Sequence, residues 1–350
     1  GWNTRFFDIP YIINRTAKVL GITVLSKFSP WELPLEHRKV VRRGSENDVY
    51  EIPGIQTLDY MELFQKFGYS YGPQESYALN HIANVVLGEK KLSYEESGSL
   101  KNLYKDDHQK YIDYNMKDVE LVDRMEEKMG LITLALTMAY KGGVNYQDTF
   151  GVTAIWESII YRRLNLIKKV VPIDMTEKPY RPFEGGYVKS PQVGRHNWVV
   201  SFDLNSLYPN LIVQYNMSPE TLVEDTQMND VAYYLTGKSV SSTYSVAANG
   251  SSYRKDFDGV LPQIIEEYYD ERVSVKKMQI AAQKEIQKGY SFELDKEINT
   301  MENRQMAIKI LLNSLYGALG NKHFAHFDVR LAEGVTLSGQ LAIQWAEKAM

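Results

Sequence analysis

Cysteine is absent from this 350-residue chain. Disulfides and thiolate metal sites are thereby excluded, and a reducing compartment fits. Long apolar runs are also missing: no stretch approaches the about eighteen uncharged residues that a membrane helix needs. The opening GWNTRFFDIP has no basic leader followed by an apolar run, so no signal peptide is expected. Excess positive charge is lacking too, with a net charge of −4. That balance does not exclude nucleic-acid binding, because basic surface is needed only where phosphates lie and metal sites are themselves acidic. What is present is ample apolar material, 44% of residues, enough for the cores of two or three domains. The chain does not begin with Met, and its last residues, LSGQLAIQWAEKAM, form a helical pattern without a stop signal. A piece of a longer chain is the economical expectation.

Periodicity supplies a coarse outline. Residues 1–20 read as a loop entering a helix, with Ile9, Ile12, Ile13 and Val19 as its apolar positions. HRKVVRRGSENDVYEI reads as two β-rich runs flanking Gly-Ser-Glu-Asn, a hairpin signal. LDYMELFQKFG and ESYALNHIANVVLG carry helical spacing, and one helix is predicted from about Lys110 to Met138, broken at Lys141-Gly-Gly. TAIWESIIYRRLNLI reads as a helix before a proline-rich stretch from Pro172 to Pro191. NWVVSFDLNSLYP is predicted to begin as a buried strand. Beyond a Ser/Asn/Gly-rich region at 240–252, long helices are predicted over about 262–288 and 295–319.

Four constellations carry chemistry. In Ser201-Phe-Asp203-Leu-Asn-Ser-Leu-Tyr-Pro209, an apolar strand delivers one carboxylate and then a turn with exposed amides, which suits a magnesium ion and a phosphate. Lys309-Ile-Leu-Leu-Asn313-Ser-Leu-Tyr316-Gly317 presents a cation, an amide and an aromatic ring on one helical face. Arg272 and Lys276, four apart on the preceding helix, could join Lys309 around a triphosphate if the helices pair antiparallel. Asn3-x-x-x-Phe7-Asp8 and Tyr114-x-x-x-Asp118 offer two carboxylates for metals and a phenol that could position a water. Singly, each has a plainer reading: a strand-ending Asp turn, a solvated Lys, an exposed charged face, surface acids.

Taken together, and in their order along the chain, they resemble the motifs of B-family DNA polymerases. DLNSLYP and KILLNSLYG resemble the family's motifs A and B, and NTRFFD and YNMKD its exonuclease II and III motifs. FEGGYVKSP resembles its Y-x-G-G/A linker motif, with Phe183 at the usual Tyr position. GWN…FDIPYIINR, SLYPNLIVQYNMSPETL, DGVLP and NSLYGALGN are similar to the replicative polymerases of T-even-like phages.

The resemblance implies an α/β multidomain fold. Part of an RNase H-like 3′→5′ exonuclease domain would occupy 1–130, and a segment at 131–174 would return to an N-terminal domain. The palm would take 175–260 and 322–350, with two-helix fingers at 261–321. Asp203 and the Leu204 carbonyl would bind two Mg²⁺ ions; Ser206 and Leu207 would meet the triphosphate; Tyr208 would lie under the incoming sugar and exclude a ribose 2′-hydroxyl. Arg272, Lys276, Lys309 and Asn313 would hold the triphosphate, with Tyr316 and Gly317 near the nascent base pair. Asp8 and Asp118 would bind exonuclease metals, and Tyr114 would orient the attacking water. The Arg42–Val49 hairpin resembles the family's strand-separating hairpin. Primer–template DNA, dNTPs and, in the intact protein, a sliding clamp are the implied partners, and the cytoplasm of an infected bacterium the implied place. Departures are also visible. The exonuclease I acidic pair and the second palm Asp are not in these residues, so the chain alone is expected to be a poor catalyst. Only 37 positions separate Arg272 from Lys309, which implies short fingers. Asn210 replaces the usual Ser or His after Tyr-Pro. Two other readings stay open, a nuclease or DNA-binding module without synthesis and an inactivated polymerase-like structural subunit.

Overall fold

The computed structural model describes residues 1–42, 44–171, 181–224, 230–237 and 243–350. It contains two compact units. The first comprises residues 1–139 and 145–150, the second 140–144 and 151–350. No described helix is long and apolar enough to cross a membrane.

In the first unit the chain runs through α1 (Asp8–Leu20), a hairpin of β1 (Glu36–Arg42) and β2 (Ser45–Glu51), then α2 (Tyr60–Phe67), α3 (Leu79–Leu87), α4 (Leu100–Asp106), α5 (His108–Met129) and α6 (Leu131–Gly142), whose last turn enters the second unit. Tyr60, Leu63 and Phe64 of α2, Ile82 and Val86 of α3, and Leu121 and Met125 of α5 are buried at helical spacing and form the core. Side-chain caps set several helix starts: Asp59 accepts from Met61 N, Ser99 from Asn102 N and Asp107 from Lys110 N.

Two sequence expectations are corrected here. The hairpin forms, but Arg42 pairs with Ser45, so the turn contains Gly44 (φ +78°) and Ser45–Asn47 already belong to β2. A tight turn needs positive φ, which glycine adopts freely. Arg43 lies outside the described residues. The single helix predicted from Lys110 to Met138 is two helices. Gly130 (φ +61°, ψ +32°) ends α5 in the left-handed region, its amide donating to Glu126 O, before α6 begins.

The second unit contains α7 (Val152–Leu166), α8 (Leu207–Tyr215), β3 (Leu222–Val223), α9 (Val231–Leu235), β4 (Ser245–Val246), β5 (Ser252–Tyr253) and three long helices: α10 (Val260–Ile286), α11 (Phe292–Leu319) and α12 (Val329–Ala349). The short strands form an antiparallel sheet of order β3-β5-β4. A small apolar cluster joins Val231, Tyr234, Val246, Ala248 and Leu341. The larger core lies along α11, where Ile308, Leu311, Leu312, Leu315 and Leu319 are buried. The strand predicted over WVVSF is not formed. Residues 198–202 are irregular, with Trp198 98% and Phe202 69% exposed. A two-sided apolar strand needs hydrogen-bonding neighbours, and neither sheet among the described residues reaches this segment. Of the proline-rich stretch, 172–180 lies outside the described residues, as does the expected boundary at 174/175; residues 181–191 have no regular structure.

Gly130→Ala should lower the stability of the first unit by about 1 kcal/mol, the penalty of placing an L side chain in the left-handed region. Urea unfolding followed by circular dichroism checks it; an unchanged midpoint would show that the α5–α6 junction relaxes without cost.

Candidate active sites

The first candidate site is a cleft of about 1330 Å³ in the first unit, and it gathers every N-terminal residue singled out above: Asn3, Phe7, Asp8, Tyr114 and Asp118. Asp59 lies outside the lining but fixes residues that belong to it. Its carboxylate, fully buried, accepts from Asn3 N (2.9 Å), Arg5 N (3.1 Å) and Met61 N (3.0 Å), so the cap of α2 also fixes the segment that leads into Asp8. Asn3 takes positive φ (+61°) there, and its carbonyl accepts from Phe6 N and Phe7 N just before α1 begins at Asp8.

One wall is α5. Tyr114 and Asp118 lie one turn apart, and Lys91 reaches both. Its ammonium is 2.7 Å from Asp118 Oδ2 and 4.8 Å from the centre of the Tyr114 ring. Burial alone would push the Lys91 pKa down, but hydrogen bonds to Asp118 and Tyr114 outweigh it and leave the value above the usual lysine range. Asp118 Oδ1 is buried, with no hydrogen-bond partner among the described residues. An orphaned carboxylate oxygen and a second carboxylate lining one cleft are the donor chemistry a hard divalent cation takes. Asp8 and Asp118 therefore fit as part of such a ligand set, although no three carboxylate or imidazole groups converge among the described residues. Sequence reasoning passed over Lys91, one of two adjacent lysines in a loop with nothing to distinguish them. Asp59 did leave a signal, as an Asp immediately before an apolar helical run.

The second candidate site lies in the second unit. Asp203 and Leu204 are exposed, on irregular backbone and not at a strand end. Ser206 (φ +50°) turns the chain into α8, whose first residues are Leu207 and Tyr208. Asn210 has a structural part: its side-chain amide donates to Asn205 O (2.9 Å) and closes the turn. The first amides of a helix have no intrahelical acceptor, so they can receive an anion. At the other end of α8, Asn216 donates to Arg254 O and Phe257 O and accepts from Gly259 N, all at 2.8 Å, which ties α8 to the start of α10.

α10 and α11 pack as a helical pair. Val275, Gln279 and Ala282 are buried on α10, leaving Lys276 exposed, while Lys309, Asn313 and Gly317 share the exposed face of α11. Arg272 is half-buried, and its Nε has no hydrogen-bond partner among the described residues. Among the described residues Asp203, Arg272, Lys276 and Lys309 make no ion pair. The pair is braced by Glu271, which accepts from Arg304 of α11 (2.8 and 3.1 Å) and ion-pairs with Lys141, whose ammonium also lies 4.3 Å from the Tyr268 ring centre. Burial would raise the Glu271 pKa, but its bonds to Lys141 and Arg304 hold it below the usual glutamate value. Burial pushes the Tyr268 phenol up to about 12. From α7, Trp156 donates to Ser314 Oγ (3.0 Å), fixing the residue next to Asn313. Tyr208 meets Tyr316 edge to face, with ring centres 5.0 Å apart. Burial raises both phenols, Tyr316 further through its neighbour Tyr208. This contact brings the Asp203 turn and the Lys309 helix together.

Comparison with known proteins identifies the family. The family model for DNA polymerase family B matches residues 152–350, and that for its exonuclease domain matches residues 1–82. The chain belongs to DNA polymerase family B. Within that family it is similar to the DNA-directed DNA polymerase of Escherichia phage RB69, with 35% identity over 396 aligned positions covering 99% of this chain and 43% of the relative. It is 32% identical to the enzyme of Enterobacteria phage T4, over 99% of this chain and 42% of the relative. The DNA polymerase delta catalytic subunit of Candida albicans is 30% identical over 91% of this chain and 30% of its own length. The chain thus spans less than half the length of these relatives. The RB69 alignment also runs longer than this 350-residue chain, so that relative carries internal segments absent here.

Glu271→Gln should cost about 1–2 kcal/mol near neutral pH, since it turns charge-assisted hydrogen bonds into neutral ones. Because the folded-state pKa of Glu271 is lowered, its contribution is fully present above the unfolded value near 4.5 and disappears as pH falls through the folded value. Denaturant unfolding of wild type and variant between pH 7 and pH 3 should show a constant gap that closes only in the acid range; a gap that persists at the lowest pH would assign the loss to packing.

Proposed function

We propose that this chain works within a DNA-directed DNA polymerase that proofreads, and that it supplies part of each of two two-metal sites. The observation that carries the synthesis reading is the contact of Tyr208 with Tyr316, which joins motif A to motif B on the helix that carries Lys309, a cation with no ion pair among the described residues. In this reading Arg272, Lys276, Lys309 and Asn313 hold the triphosphate of an incoming dNTP, and the amides of Ser206 and Leu207 receive its oxygens. Tyr208 lies under the sugar, with Tyr316 and Gly317 at the nascent base pair. The primer 3′-hydroxyl attacks the α-phosphate, a new phosphodiester bond forms, and pyrophosphate leaves. Asp203 and the Leu204 carbonyl would hold Mg²⁺, which supplies Lewis-acid stabilisation of the charge that develops.

Proofreading is placed in the first cleft. Asp8 and Asp118 would hold its metals, and Tyr114 orients the attacking water toward the terminal phosphodiester. Lys91 keeps Tyr114 and Asp118 in one arrangement and offsets charge around them. In domain terms, residues 1–130 are read as exonuclease and 131–174 as the return segment. Residues 175–260 and 322–350 are read as palm, and 261–321 as short fingers. The length of the relatives and the unpaired, exposed WVVSF segment favour a longer working protein that completes the sheet and the ligand sets, so the 350 residues alone should be nearly inactive. Primer–template DNA would be its substrate and an infected bacterial cell its setting, as for the phage relatives; the sliding clamp and the strand-separating role of the hairpin rest on resemblance alone.

In the full-length protein, Asp203→Ala should abolish primer extension while leaving single-strand digestion largely intact, and Asp118→Ala should do the reverse. A loss of one activity amounts to several kcal/mol of transition-state stabilisation, roughly a thousandfold or more in rate. Primer extension and 3′→5′ degradation, assayed with Mg²⁺ on both variants, decide the matter. Parallel loss of both activities in either variant would contradict two separate sites.

A further inference from the structure

The ring of Tyr208 sits in a seat made by residues to which no motif assigns a role. α12 passes behind it, and at Gly339 a Cβ atom would come 2.9 Å from Tyr208 Cε1 and 3.6 Å from Cδ1. Real Cβ atoms essentially never approach so closely, and the atom they would meet is the edge of a rigid ring. At the phenol end, a Cβ on Gly186 would lie 3.0 Å from Tyr208 Oη. The ring of Tyr316 closes a further side. The loop carrying Gly186 is itself pinned to α12: Thr336 Oγ1 donates to Glu184 O (2.9 Å) and Gln340 Nε2 donates to Gly185 O (2.8 Å). One turn of α12 therefore contributes both the bare backbone against which the ring rests and the two side chains that hold the loop at its hydroxyl. Glycine in the interior of a helix is disfavoured relative to alanine, so its use at this position calls for a reason, and the reason is space for the ring.

We infer that Gly339, with Thr336 and Gln340, is a specificity-determining support that sets the depth of the Tyr208 ring and so the discrimination between deoxyribose and ribose in the incoming nucleotide. This rests on the reading of Tyr208 as the ring beneath the sugar. The three residues are positioning residues and act only through that ring. A methyl group at 339 must turn the ring out of its seat, because Gly186 and Tyr316 bound its other sides, and a displaced ring no longer fills the space beside C2′.

The experiment is single-turnover insertion of matched dNTP and rNTP by the full-length polymerase, in a cycle of Gly339→Ala, Tyr208→Ala and the double variant. Gly339→Ala should reduce the preference for dNTP by roughly tenfold, the scale on which one methyl group acts in a packed pocket. In the Tyr208→Ala background the same substitution should add nothing, since the group it acts through is gone. Alanine is the better helix former, so α12 keeps its backbone. Gln340→Ala, at the partly exposed edge of α12, should shift the preference in the same direction by a smaller factor and keeps the test open if Gly339→Ala folds poorly. If Tyr208→Ala loses discrimination while Gly339→Ala and Gln340→Ala retain it, the support role is overturned and the sugar reading of Tyr208 stands. If Tyr208→Ala itself discriminates as wild type does, that reading fails first and the support role with it. An undiminished Gly339→Ala effect in the Tyr208→Ala background also overturns the inference.

Discussion

Burial of one face of α11 is the constraint on which the second unit depends. Ile308, Leu311, Leu312, Leu315 and Leu319 are almost completely removed from solvent, against α7, α8, α10 and α12. Each such side chain is worth at most about 1.5–3 kcal/mol of transfer free energy, so a rotation of the helix that exposed even two would cost much of a domain's net stability. With the rotation fixed, Lys309, Asn313 and Gly317 must face outward, and Tyr316 must meet Tyr208. The polar face of the site is therefore oriented by apolar residues that touch no substrate. Trp156 and Glu271 refine the placement through single hydrogen bonds and ion pairs, but the direction in which the cations point is decided by the core.

The first unit solves the equivalent problem with a polar group. Asp8 stands at the first turn of a short amphipathic helix, and much of the outer face of α1, including Tyr11, Ile12, Val19 and Leu20, is exposed. Apolar packing on one side alone would hold it loosely. The buried carboxylate of Asp59 compensates by accepting three backbone amides, two of them from the segment before α1. A carboxylate so fully hydrogen-bonded tolerates burial. Lys91 does the complementary work across the cleft, where Asp118 would otherwise be a half-buried anion with neither oxygen satisfied.

The helices and the short-range motifs were legible in the sequence because both follow from local spacing. Lys309, Asn313 and Gly317 share a face by periodicity alone, and α10 and α11 fall close to their predicted limits. Three features were not legible, each for a physical reason. The strand over WVVSF has strong local propensity, but a strand is a relation between segments and no neighbour lies beside this one among the described residues. The break at Gly130 was hidden because apolar spacing continues through it, while the backbone turns on one left-handed residue. Lys91 lies 27 positions from Asp118, and nothing in its neighbourhood distinguishes it from Lys90. Long-range pairing leaves no trace in a single sequence unless the residue type is unusual, and lysine is not.

Glycine in α12 shows how one local rule can be set aside for different ends. Gly334 and Gly339 both lie in the helix interior, where each costs about 1 kcal/mol relative to alanine. Each is opposed by a tyrosine: a Cβ at 334 would come 3.1 Å from Tyr253 Oη, and one at 339 would come 2.9 Å from Tyr208 Cε1. Tyr253 is completely buried in the small sheet, so Gly334 is explained by packing of the core and needs no function. Tyr208 is only half-buried and lies beside the turn that carries Asp203 and the helix that carries Lys309. The same substitution of hydrogen for a methyl group therefore relieves a core contact at one position and sets the reach of a site residue at the other. Exposure of the opposing ring is what separates the two cases, and it places the functional weight on Gly339.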